Sequence, residues 1–274
     1  MPNRDSLGDR MKGYENAFRH YLPRRMPVII RIDGKAFHTY TKGFHKPFDY
    51  ILMKTMQETA YELCTKIEGV KLAYVQSDEI SLLLTNDDTL ETEPWFGNNL
   101  QKIVSVAASM ATMAFNKHFA HEVINGLTTS FNINDMEWHD KLVNIYHPRL
   151  DTAMFDARAF VLPANEVCNY FIWRQQDATR NSIQMVAQSN FSHKELQGLN
   201  CNKLQDKLFT EKGINWNDFS VPEKRGTCIV KVPTFTSEAV LPKMKWAIDG
   251  NIPIFTEHRK YIEERLNGTS SNKD

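Results

Sequence analysis

The stretch AYVQSDEISLLL, Ala73 to Leu84, constrains the fold more than any other in the chain. Three polar or acidic residues, Ser77-Asp78-Glu79, interrupt two apolar runs, the pattern of a β-hairpin. Its surroundings narrow the choice. Upstream, MPVIIRIDG (26–34) is a short apolar run ending at Asp-Gly, which reads as a buried strand leaving its sheet. Pro47 then opens a helical segment. Leu52, Met56, Ala60, Leu63 and Ile67 recur there at three- and four-residue steps, and Gly69 supplies a stop. Downstream, a second helical pattern covers about 95–121, with Leu100, Ile103, Val104, Ala107, Ala111, Ala114, Phe115 and Phe119 on one side. FDARAFVLP (155–163) then alternates Phe155, Ala157, Ala159 and Val161 against Asp156, Arg158 and Phe160, the period of a half-buried strand.

The order strand, helix, hairpin, helix, strand predicts an α+β fold. Its core is a split βαβ, ferredoxin-like antiparallel sheet with two helices on one face. That core is placed at 1–163. Residues 164 to about 212 read as mostly helical, and 224–256 as extended and punctuated by proline. The region 164–274 is expected to pack on the core, and whether the two form one continuous domain stays open. The tail from Asn267 onward reads as disordered, and its Asn267-Gly268-Thr269 sequon as chance.

Bulk properties exclude several classes. Lys+Arg and Asp+Glu both total 33, so no global charge draws the chain to nucleic acid or to a membrane, although local patches remain possible sites. No apolar run approaches the roughly 20 residues of a membrane-spanning helix. The polar start MPNRDSLGDRMKGYE does not resemble a secretory signal. Cys64, Cys168, Cys201 and Cys228 are scattered without zinc-like spacing, which suits a reduced, cytoplasmic protein.

In the split βαβ topology the end of the first strand lies near the hairpin tip, so Asp33 and Asp78 converge at one sheet edge. Two carboxylates there repel unless a cation or a shared proton offsets them. Oxygen ligands of this kind suit Mg²⁺ or Mn²⁺ and leave positions for phosphate oxygens. Gly34 allows close approach of a phosphate or metal. Lys35, His38, Lys42, Lys46 and Asp49 follow within fifteen residues of it. Asp-Gly and Ser-Asp-Glu are also ordinary turn sequences. On pattern alone, turn and metal edge both stand. There is no P-loop, GxGxxG, GxSxG or HExxH motif, and His118 and His121 read as structural or surface residues.

Taken together, RIDGKAFHTYTKGFHKPFD, YVQSDEISLLL, FDARAF and WRQQDATRNSIQ resemble the tRNA-His guanylyltransferase family. The similarity runs from about Lys12 to Arg225. It implies a polymerase-palm-like catalytic core and nucleotide addition in the 3′-to-5′ direction on tRNA. It also implies that Asp33 and Asp78, with Gly34, hold two Mg²⁺ ions. Lys35, Ala36, Phe37 and His38 match a triphosphate loop; Lys46, Asp49, Ser77 and Glu79 match further nucleotide positions. Lys102, Arg158, Arg174, Asn181 and Lys203 stand where basic or polar residues could serve phosphate or tRNA. ATP or GTP and other NTPs would be substrates, and a homotetramer is implied.

One departure bears on substrate choice. Members specific for histidine tRNA carry His-Ile-Asn-Asn-Leu-Tyr-Asn after Trp-Arg-Gln. Here the matching positions hold Thr179 to Met185, with Thr179 for the His and Ser182 for the second Asn. This resembles the family's like-protein branch, associated with template-dependent repair of tRNA 5′ ends. Addition of G at position −1, a palm-fold nucleotide cyclase or dinucleotide synthase, and a non-catalytic tRNA-binding module are the alternatives.

Overall fold

Every apolar residue of the first strand, β1 (Val28–Gly34), is used, because the sheet has helices on both sides. The computed structural model describes residues 6–133, 135–234 and 243–267. Val28, Ile30 and Ile32 point into a core shared with helices α3 (Tyr50–Lys66) and α4 (Leu100–Asn132). Ile29 points the other way, into a second core. A strand buried on both faces reads as a continuous apolar run rather than an alternation.

Between β1 and α3 lies a single turn, α2 (Phe37–Tyr40). Strands β2 (Val70–Gln76) and β3 (Glu79–Leu84) form the hairpin, with only Ser77 and Asp78 as its loop. Strand β4 (Phe155–Val161) follows α4 and a short helix, α5 (Met136–Lys141). The sheet order begins β4-β1-β3-β2, all antiparallel, as the split βαβ pattern requires. The predicted helix faces hold as well. Met56, Ala60 and Leu63 of α3 are buried against Ile103, Ala107, Ala111, Phe115 and Phe119 of α4.

The second helix differs from its expected 95–121 span. It starts at Leu100, where the Asn99 side chain accepts from the Lys102 N–H, and it runs to Asn132. Residues 95–98 are a separate 3-10 turn. The last turns carry exposed Ile124 and Phe131, which hide the periodicity. Glu62 of α3 ties the pair together by accepting from Lys66, Lys117 and His118. His118 is therefore structural.

The C-terminal region extends the same sheet. Helix α6 (Ala164–Asn190) is followed by α7 (His193–Leu196), α8 (Cys201–Lys212) and α9 (Val221–Arg225). Strands β5 (Thr227–Thr234) and β6 (Lys243–Asp249) then add to β2, completing the order β4-β1-β3-β2-β5-β6. Val167, Phe171 and Ala178 of α6 cover the face opposite α3 and α4, joined by Ile262 of α10 (Lys260–Leu266). Further along, Ile183, Val186 and Ala187 pack on Leu204 and Leu208 of α8. Among the described residues no helix is long and apolar enough to cross a membrane. Of the tail expected to be disordered, 267–274, residues 268–274 lie outside the described residues.

An N-terminal helix, α1 (Ser6–Asn16), has no buried residue. Leu7, Met11, Tyr14 and Phe18 form an apolar stripe in and just beyond it, each at least 48% exposed.

Candidate active site

The carboxylates of Asp33 and Asp78 are brought together by two neighbouring strand ends. Asp33 sits opposite Glu79 in the β1–β3 ladder and opposite Asp156 in the β1–β4 ladder. The Gly34 N–H donates to the Asp78 carbonyl at 3.1 Å, pinning the hairpin loop to the end of β1. Ser77 takes φ of 48°, because both tight two-residue hairpin turns need a positive φ at their first central position. Burial raises the Asp78 carboxyl above its ordinary range, and the charges of Asp33 and Glu79 raise it further. The Asp78 backbone N–H and the Ser77 hydroxyl pull the other way. A cation between Asp33 and Asp78 would remove that repulsion, so the donor set fits a divalent metal. Among the described residues there is no cluster of three or more His, Cys, Asp or Glu with metal-binding geometry. The two carboxylates would thus share an ion with backbone or substrate oxygens.

A cleft of about 540 Å³ opens beside Asp78; Gly34 lines it, whereas Asp33 does not. Gly34, Ala36, Phe37, His38, Lys46, Asp49, Ser77 and Asp78 all line it. Its far wall is Met185, Gln188 and Ser189 of α6, with Thr41 and His45 beside them. These residues were not singled out from the sequence. Met185 to Ser189 lie more than 100 residues from Asp78, and only the tertiary path of α6 brings them there.

Several expected nucleotide-loop residues have structural work as well. Phe37 is 4% exposed and stacks among Tyr40, Phe115 and Phe155, with ring centroids 4.8–5.4 Å apart. A Cβ on Gly34 would lie 2.3 Å from the Phe37 ring, so glycine is required there by packing. Ala36 adopts φ of 54° at the start of α2. Asp49 caps α3 by accepting from the Leu52 N–H at 2.8 Å, and it also accepts from the His45 N–H at 2.9 Å and from the Tyr146 hydroxyl. Burial, then the bond to Asp49, pushes the Tyr146 phenol far above its ordinary range.

The remaining expected positions are dispersed. Lys35 is exposed between the lining residues Gly34 and Ala36 but does not itself line the cleft, and its N–H donates to the Met154 carbonyl at 2.9 Å. Glu79 turns away from the cleft toward Arg174 of α6, which grips it with bonds of 2.8 and 2.9 Å. Arg174 also donates to Asp177 at 3.1 Å and stacks 4.5 Å from the Trp173 ring centroid. With a side chain only 8% exposed, Arg174 is committed to this ion pair rather than offered to an RNA phosphate. Arg158 is exposed on β4, 3.7 Å from Asp156. Asn181 is exposed beside a smaller adjoining cavity. Lys203 is exposed in the first turn of α8. Lys102 lies near the opposite end of β1, by the segment where Asn98 bonds the Leu22 and Pro23 carbonyls.

Comparison with known proteins decides the family. The family model described as tRNAHis guanylyltransferase matches residues 8–163, more than half of the chain. The chain belongs to that family. Its members are nucleotidyltransferases. The tRNA(His) guanylyltransferase of Debaryomyces hansenii is 30% identical over 224 residues, 77% of this chain and 76% of its own. A bacterial guanylyltransferase-like protein of the family, solved in complex with ATP, is 51% identical with a TM-score of 0.79. The match covers 95% of this chain and 99% of that one. A bacterial like protein in complex with GTP is 47% identical at a TM-score of 0.76, over 96% and 99% of the two chains.

Proposed function

We propose that this protein adds nucleotides to the 5′ end of tRNA in the 3′-to-5′ direction, directed by the opposite strand, and so repairs truncated 5′ ends. The observation that carries this reading is the approach of Asp33 to Asp78, which with Gly34 lines a cleft of about 540 Å³. Asp33 and Asp78, with the Gly34 carbonyl, would hold two Mg²⁺ ions, which lower a hydroxyl's pKa and stabilise charge on a leaving phosphate.

The reaction is a phosphoryl-transfer sequence. The RNA 5′-monophosphate displaces pyrophosphate from ATP or GTP to give a nucleotidyl-activated 5′ end. The 3′-hydroxyl of an incoming NTP attacks the activated phosphate, and the activating nucleotide leaves as its monophosphate. No protein nucleophile is needed, because the 3′-hydroxyl of the incoming nucleotide supplies one. Lys46, His38 and Lys35 face or flank the cleft with hydrogen-bond donors for phosphate oxygens. Ser77 and the Gly34–Asp78 backbone bond hold the acidic edge in position.

Greater identity to the bacterial like proteins than to the Debaryomyces enzyme supports repair over G addition at position −1. Thr179 and Ser182, which replace the His and Asn of the histidine-specific pattern, support it too. A homotetramer and a cytoplasmic location are what the family resemblance implies, and the exposed stripe from Leu7 to Phe18, in and just beyond α1, offers a surface for self-association. Light scattering of the purified protein tests the assembly.

The deciding assay combines Mg²⁺, ATP, all four NTPs and a 5′-monophosphorylated tRNA lacking its first nucleotide. Templated 5′ extension is expected, lost in both Asp33→Ala and Asp78→Ala with folding retained. G addition only to full-length histidine tRNA would replace this reading with the guanylyltransferase one. Cyclic or linked nucleotides without tRNA would replace it with a cyclase.

A further inference from the structure

Four cavities border α6, and neighbouring ones share lining residues. The cleft shares Gln188 with a cavity toward α7, and it shares Asp49, Leu52, Ser77 and Met185 with a small one toward α9. That small cavity shares Arg225 with a fourth, of about 520 Å³, on the flank of α6. In the fourth, every charged lining residue is a cation: Arg180, Lys224 and Arg225. The cleft and the small cavity both carry carboxylates, and the chain as a whole is charge-balanced. The positive character is therefore local to this flank.

The site is also built. The Trp216 indole N–H donates to the Ser182 hydroxyl at 3.0 Å, fixing the 215–218 segment on α6. The Lys224 ammonium sits 5.7 Å from the Trp216 ring centroid and donates to the Asn217 carbonyl at 2.5 Å. Ser220 and Glu223 form a reciprocal capping box that holds α9. Arg225 spends its Nε on the Ile252 carbonyl at 3.1 Å, and Arg180 pairs with Asp177 at 2.8 Å. Thr179 of α6 completes the wall.

We propose that this cavity binds a backbone phosphate of the RNA strand whose 5′ end reacts in the cleft. The proposal rests on the RNA-substrate reading above. Thr179 and Gln188, on α6 beside the two cavities, are nine residues apart, about 14 Å along a helix rising ~1.5 Å per residue. That is about four stacked nucleotide steps of ~3.4 Å. An RNA strand running along α6 spans this distance. With no net charge to gather RNA from a distance, short-range contacts of this kind have to supply the affinity.

Fluorescence anisotropy with the 5′-truncated, 5′-monophosphorylated tRNA tests this, across 50–200 mM salt. Lys224→Ala and Arg180→Ala are each expected to weaken RNA binding several-fold. Each should reduce the slope of log affinity against log salt by about one. Lys224→Arg should retain binding, and ATP affinity should hold in all three. In extension kinetics KM for RNA should rise more than kcat falls. Urea midpoints equal to wild type establish that each variant folds. Unchanged RNA affinity and salt slope in both alanine variants overturn the subsite, as does an equal loss of ATP affinity. A wild-type protein that binds no tRNA overturns the functional reading itself.

Discussion

Removing Arg174 should unfasten α6 from the catalytic hairpin, and the cost can be worked from the ion pair. The Arg174 and Glu79 side chains are 8% and 12% exposed, joined by bonds of 2.8 and 2.9 Å. Arg174→Met leaves the Glu79 carboxylate buried beside Asp33 and Asp78 with no cation. Breaking a buried pair in this way costs about 3–5 kcal/mol. Ser81 still offers a hydroxyl at 3.4 Å, which places the expected loss near the lower end, about 3 kcal/mol. In urea, with a slope of about 3 kcal/mol/M, that moves the midpoint down by about 1 M. Adding Glu79→Gln removes the stranded charge and should recover more than half of the loss. The double variant measured beside both singles gives the coupling directly. Tryptophan fluorescence during urea titration is the assay. A midpoint shift below about 0.2 M for Arg174→Met, or a double variant no better than that single, would refute the structural role. If stability holds and tRNA affinity falls instead, Arg174 is an RNA contact after all.

Three further outcomes follow from the packing and charges. Burial raises the Glu62 carboxyl, but bonds from Lys117, Lys66 and His118 outweigh it and bring it down to about 2 from 4.5. A folded pKa below the unfolded one stabilises the fold above pH 4.5, and this contribution is lost as pH falls toward 2. Lys66 and Lys117 are about 60% exposed, so screening limits the contribution to about 1–2 kcal/mol. Glu62→Gln should accordingly lower the melting temperature at pH 6 and cost progressively less between pH 4.5 and 2. Gly34→Ala puts a Cβ 2.3 Å from a Phe37 ring that Tyr40, Phe115 and Phe155 hold in place. It should cost about 2–3 kcal/mol in a urea titration and abolish extension; wild-type stability would mean the ring can move. Gly226→Ala sets a Cβ 2.4 Å from the Val75 carbonyl at φ of 83°, and a melting temperature lower by several degrees is expected.

Local pattern carried the central architecture because its elements are short-range. The apolar steps from Met56 to Leu63, the run through Ile29 to Ile32, and the polar break at Ser77-Asp78-Glu79 each report one helix, strand or turn. Their order leaves few topologies, and the right one placed Asp33 near Asp78. Where exposed apolar residues interrupt the period, as at Ile124 and Phe131, the same reading stops early, and the last turns of α4 went unseen.

The tertiary structure decided what long-range contact alone can specify. Arg174 stood in the sequence as a cation available to RNA, and only its approach to Glu79, 95 residues away, makes it a buried clamp. Phe37 reads as part of a phosphate loop, yet its ring is a core element that makes glycine obligatory at position 34. Met185 and Gln188 close the cleft because α6 crosses the sheet at that height. Lys224 and Arg225, one of several basic pairs along the chain that could track phosphates, line a cavity with no carboxylate in its wall once α9 folds against α6. Periodicity records which face of an element is buried. It does not record which distant side chain the buried face meets.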